Sequence, residues 1–217
     1  MKKLGEINVK YILIILIFFI ISMLLSRTIT KWIRGNLFLT IIRVSLAYTP
    51  YLLIFIFIPF PSFSFQLKLN FTLFSMILGF VLIGLDYKKI LYGIKKEYSF
   101  LNPKVSFHQL FSRASEGILA PLFEELFFRG IIPLATGAYQ FLISLLSIML
   151  FNLSHYIGND KSIKYHLKLV LFSSISTGIY IYSQNIIYCI VFHICYNLPY
   201  VYSHYHRYFF HQKKERC

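Results

Sequence analysis

The stretch PLFEELFFRG, residues 121–130, sets two glutamates and an arginine inside an otherwise apolar run. A charged side chain near a bilayer centre costs about 2.5 to 3.5 kcal/mol on insertion scales, so Glu124, Glu125 and Arg129 together oppose a lipid-facing helix by up to roughly 9 kcal/mol. The large apolar side chains from Ile118 to Leu134 offset about 0.3 to 0.6 kcal/mol each. Such a helix does not stand alone in lipid. Its charges must turn inward, pair, and meet polar groups or water on neighbouring helices. The expected fold is therefore a bundle of helices around a polar intramembrane cavity.

Composition supports this. Of 217 residues, 57% are hydrophobic and only 14% charged, against about 25% charged in soluble domains. Length and hydropathy predict an all-α, polytopic transmembrane bundle of about seven to eight spans, a single membrane domain over 1–217 that is multi-pass in the cell membrane. Apolar runs place helices at 11–26, 37–58, 71–91, 115–133, 140–155, 167–183 and 186–203. The segment 96–114, KEYSFLNPKVSFHQLFSRA, is mixed and broken by Pro103, and its second half reads as an amphipathic interfacial helix. The run 11–25 follows Lys2, Lys3 and Lys10 as a signal peptide would. No small-x-small cleavage site comes after it, so it reads as a span.

The net charge of +14 sits in the loops and does not point to nucleic acid. With 27–36, 86–113, 156–166 and the tail after 204 on the cytoplasmic side, that side holds fifteen Lys and Arg residues, while the opposite loops hold Lys68. Such a bias orients membrane helices. The N-terminal lysines conflict with seven spans, and an eighth span or a first segment that does not cross would remove the conflict. Cys189, Cys195 and Cys217 form neither a disulfide framework nor a CxxC site. With Cys217 as the last residue, no CaaX box is expected.

Spacing assigns partners. Glu125 and Arg129 lie four apart on one helical face, acid first, the favourable order for an ion pair. Glu124 lies about 100° round the helix, with no partner in its own segment. Taken alone, these residues fit either a buried ion-pair network or a reactive carboxylate, Glu124, supported by a pair. Two later runs add intramembrane histidines: FNLSHY sets Phe151 and His155 four apart, and FHICYN does the same for His193 and Asn197. Three segments thus offer Glu124, His155, His193 and Asn197 at comparable depth. A carboxylate can deprotonate water, a histidine can orient that water or protonate a leaving amine, and an asparagine amide can donate to a developing oxyanion. Glu124, His155 and His193 would also be the ligands of a divalent metal such as zinc, were one used. His204, His206 and His211 fall in the tyrosine-rich tail YSHYHRYFFHQKK and read as an interfacial belt; His108 and His166 fall in loops without an evident partner. No GxSxG serine occurs, and Asp86 and Asp160 read as loop residues, so serine and aspartyl intramembrane protease designs find no support.

EELFFR (124–129), FNLSH (151–155) and HICYN (193–197) resemble the EExxxR, FxxxH and HxxxN motifs of the CPBP intramembrane proteases. That family includes the Rce-type CaaX-prenyl endopeptidases and the bacterial Abi proteins. The order matches too, and the resemblance covers about residues 115–200. It implies a helical catalytic core over 115–200 in which Glu124 activates water, Glu125 and Arg129 support it, His155 and His193 are catalytic, and Asn197 stabilises the oxyanion. It further implies a peptide or membrane-anchored protein substrate met in the lipid bilayer, and it leaves metal dependence open. Peptide or bacteriocin processing and self-immunity are both associated with bacterial members. The competing expectation is a non-catalytic membrane scaffold, regulator or bacteriocin immunity protein built on the same fold; a proton-relaying transporter is a third, without the broken helix pairs that it would need.

Overall fold

In a computed structural model, residues 9–32, 37–59, 67–95, 103–156 and 162–215 are described, and they form helices with no strand among them. Lys2, Lys3, Arg34, 96–102, Asp160, Lys161, Arg216 and Cys217 lie outside these residues, as do the side chains of Arg27, Lys31, Lys213 and Lys214. The helices are α1 (Val9–Trp32), α2 (Leu37–Leu53), α3 (Leu69–Ile83), α4 (Tyr87–Ile94), α5 (Phe107–Gly130), α6 (Ala138–Tyr156), α7 (Ile163–Ser183) and α8 (Ile186–Glu215). The chain is an all-α helical bundle.

The run expected at 115–133 starts earlier, as α5 at Phe107. Its start is fixed by a reciprocal cap, in which the Gln109 N–H donates to Ser106 Oγ at 3.2 Å and the Ser106 N–H donates to Gln109 Oε1 at 2.9 Å. Two otherwise orphaned backbone donors are thereby satisfied. The described part of the expected interfacial helix is accordingly the first two turns of α5 itself. Likewise, α8 does not stop near 203 but continues through the tyrosine-rich tail to Glu215. The run 71–91 is divided by a 3-10 turn at Gly84–Asp86, which separates α3 from α4.

Helix α8 is the axis of the bundle, packing on α3, α4, α5 and α7; α2 joins α1 to α5, and α6 pairs with α7. Small residues let the helices close. A Cβ on Gly79 would stand 2.6 Å from the Phe192 carbonyl oxygen, and a Cβ on Gly117 would collide with Val201. Glycine at both contacts is what lets α3 and α5 approach α8 so nearly. The core between them is aromatic: Phe127, Phe128, Phe151, Phe172 and Phe192 are fully buried, with Phe151 stacked on Phe172 at 5.5 Å and Phe172 on Phe192 at 4.9 Å.

The outer surface carries Leu, Ile, Phe and Val side chains, as a lipid-facing surface does. Among the described residues three stretches are long and apolar enough to cross a membrane, Leu69–Ile94, Ala138–His155 and Ile186–Gln212, with shorter apolar helices at Lys10–Ser26 and Ile41–Ile56. The described parts of 86–113 and of the tail after 204, both expected on the cytoplasmic side, meet at one end of the bundle. There Arg43 donates to Ser112 Oγ at 2.8 Å, Arg207 donates to the Pro103 carbonyl at 2.8 Å, and Lys168 pairs with Asp86. At the other end the Lys68 N–H donates to the Tyr188 hydroxyl at 2.7 Å.

Candidate active site

One carboxylate organises the centre of the bundle. Glu125, fully buried on α5, takes Arg129 from its own helix at 3.0 Å, the Ser176 hydroxyl from α7 at 2.7 Å and the His193 ring from α8 at 2.8 Å. Four residues on three helices therefore share one charge. Arg129, equally buried, also donates to the Ser173 hydroxyl at 3.1 Å and lies 5.0 Å over the Phe151 ring. A buried ion pair needs such additional bonds to offset its desolvation. The pairing read from the i, i+4 spacing is present, and the structure adds what spacing does not supply, a grip on the histidine.

That grip has a chemical consequence. A carboxylate only accepts, so His193 Nδ1 carries the proton it gives to Glu125, and in the neutral ring Nε2 is left as an acceptor. His193 Nε2 faces Glu124 Oε2 at 3.9 Å, too long for a direct hydrogen bond. Phe172 closes on the imidazole edge-on at 4.6 Å, and Phe151 at 6.0 Å, so packing limits ring rotation as well.

Glu124 points elsewhere. Its side chain, 13% exposed, lines a cavity of about 490 Å³ that His155, His193 and Asn197 also line. On α6, His155 Nδ1 lies 2.9 Å from the Phe151 carbonyl, a contact in which the nitrogen must donate. Every candidate from the sequence falls at this centre: Glu124, His155, His193 and Asn197 on the wall, Glu125 and Arg129 directly behind it. Phe151, the first residue of the FNLSH stretch, packs against Arg129 and both histidines.

Several contributors were not anticipated. Ser173 and Ser176 anchor the ion pair from α7, but serines in an apolar run carry no distinctive spacing. Asp86, expected in a loop, is 8% exposed; Lys168 and Tyr200 both bond its Oδ2, and Lys89 stands 3.8 Å away. Lys89, Lys168 and Tyr200 line the cavity, as do Tyr48, Glu116 and His204. His204 thus belongs to the cavity wall and not only to an interfacial belt. His166, without an evident partner in the sequence, contacts Asn152 Oδ1 at 3.0 Å.

The sequence named Glu124, His155 and His193 as ligands for a metal ion, were one used. Among the described residues no group of three or more His, Cys, Asp or Glu side chains is arranged to hold one, and Glu124, His155 and His193 do not form such a group.

The helical bundle, its apolar surface and the acid–histidine cavity within it define a helical membrane protein with a polar cavity. Residues 107–199, rather less than half of the chain, match the family described as Type II CAAX prenyl endopeptidase Rce1-like, a match that supports the CPBP/CAAX protease family. The matched segment contains all six site residues. No curated protein and no solved structure matches the chain. The family matched in this segment is one of proteases.

Proposed function

We propose that this chain is a multi-pass intramembrane endopeptidase of the cell membrane that hydrolyses a peptide bond near the membrane surface with water activated by Glu124. The observation that carries the reading is the 3.9 Å gap between Glu124 Oε2 and His193 Nε2, held open on the cavity wall by Glu125. A separation of that size suits a water that gives one hydrogen bond to each. Glu124 takes one proton from this water while its oxygen bonds to the scissile carbonyl carbon. The Asn197 amide donates to the oxyanion that forms. When the C–N bond breaks, the proton held by Glu124 ends on the amine nitrogen, with His155 as the relay. One water is consumed, one acid and one amine are released, and no step passes through a metal.

The remaining residues act through these. Arg129 fixes Glu125, and Glu125 fixes the tautomer and orientation of His193, the outer partner that sets a histidine's working nitrogen. The cavity opens where the basic segments gather, so a peptide lying at the cytoplasmic surface of the bilayer would enter with its cut site at the membrane boundary. The catalytic core is 115–200 within one membrane domain over 1–217. Peptide processing, including processing of a bacteriocin, is the role that fits.

Membranes from cells expressing wild type, Glu124→Ala or His193→Ala test this, with all new peptide termini catalogued by mass spectrometry. Termini present with wild type and missing with both variants are expected. Identical termini in all three, at equal amounts of protein in the membrane, would leave the non-catalytic scaffold or immunity protein as the reading.

A further inference from the structure

A smaller cleft of about 190 Å³ opens beside the cavity mouth, walled by Pro103 to Val105, the first turns of α5 and the distal part of α8. Lys104, Arg113, His204 and Arg207 line it, and no acidic side chain does among the described residues. Glu116 holds Arg113 at 2.9 Å from the cavity side. Arg207 spans the cleft to the Pro103 carbonyl through Nη2, while its buried Nε has no hydrogen-bond partner. The positive end of the α5 macrodipole adds to this field, since the helix begins here with Gln109 in the cleft wall.

The surroundings say which kind of anion the cleft suits. On the same turns of α8, Tyr202, Tyr205 and Phe209 are each about half exposed, and aromatic rings of this kind settle at the level of lipid headgroups. Basic pockets between helices at the cytoplasmic surface take anionic headgroups, and the arginine fork fits phosphate oxygens. We propose that the cleft binds the phosphate of an anionic membrane phospholipid, which then forms part of the cavity rim, because Arg113 and His204 face both spaces. This binding does not depend on hydrolysis.

Thermal unfolding of the detergent-purified full chain, titrated with short-chain phosphatidylglycerol or phosphatidylcholine, reads the site directly. Phosphatidylglycerol is expected to raise the midpoint saturably and phosphatidylcholine to leave it in place. Lys104→Gln should raise the half-saturating lipid concentration about fivefold, and Lys104→Gln with Arg207→Gln roughly thirtyfold. Lys104 is exposed, so the single variant decides the matter should the pair fail to fold. Lys164→Gln, an equal loss of charge on the exposed start of α7, should behave as wild type. An equal response to phosphatidylcholine, or an equal loss in Lys164→Gln, would overturn the proposal. So would a rise of the same size with inorganic phosphate at the same concentration, which would assign the cleft to a soluble anion.

Discussion

Glu125 and Asp86 are both buried carboxylates, and each is held by a cation and a hydroxyl. Glu125 has Arg129 and Ser176; Asp86 has Lys168 and Tyr200. They differ in what else they touch. Glu125 also grips a histidine that faces the cavity, whereas Asp86 joins the turn between α3 and α4 to α7 and α8 at the cavity rim. The first arrangement orients a ring that lines the cavity; the second fastens three elements together. Similar electrostatics therefore serve different ends, and the neighbours decide which.

The largest effect expected belongs to neither carboxylate but to Glu124, which Glu125 leaves free to face the cavity. Glu124→Gln keeps the shape and removes the base, so peptide cleavage should fall about 10²- to 10⁴-fold with little change in unfolding temperature. A variant that keeps its activity would break the division of labour between the adjacent glutamates. Arg129→Met comes next. It strands Glu125 in the core with a neutral partner set, and losing one member of a buried pair costs about 3 to 5 kcal/mol. Unfolding in detergent should show that loss. Cleavage should fall with it even at temperatures where the variant remains folded, because Glu125, the anchor of His193, is no longer fixed by Arg129.

How much of this could be read beforehand follows from periodicity. Glu125 with Arg129, Phe151 with His155 and His193 with Asn197 all lie four apart, and a helix turns that interval into a shared face. The contact between α5 and α8 that brings Glu125 to His193 has no such signature, since sixty-eight residues separate them. The same holds for Asp86, whose partners lie 82 and 114 residues away. The start of α5 was legible in principle: Ser106 followed three residues later by Gln109 is a capping pair. The mixed composition of 96–114 masked it. Span number is least legible in α5, because its charges depress the hydropathy that marks a crossing helix while the bundle interior satisfies them.

At the rim, Lys168→Met sharpens the comparison. Asp86 keeps Tyr200 and Lys89, so the loss should be about 1 to 3 kcal/mol in unfolding, less than for Arg129→Met. Cleavage per folded molecule should hold near the wild-type rate, since Lys168 touches none of the reacting groups. A collapse of the rate with stability intact would move the rim from fastening into chemistry.

The smallest change tests the transmission itself. Ser176→Ala removes one of the bonds on Glu125 and leaves Arg129 and His193 in place. Stability should fall by about 1 kcal/mol, the net worth of a typical hydrogen bond. Ser176 donates to Oε2, the oxygen that Arg129 also approaches, while His193 uses Oε1. The carboxylate can therefore swing about the histidine contact once the hydroxyl is gone, and His193 should lose orientation more than stability. The expected signature is a several-fold drop in kcat at nearly unchanged KM, with Ser176→Thr restoring it through the retained hydroxyl. A variant that loses stability but keeps kcat would show that Glu125 fixes helices alone, and the contrast with Asp86 would vanish.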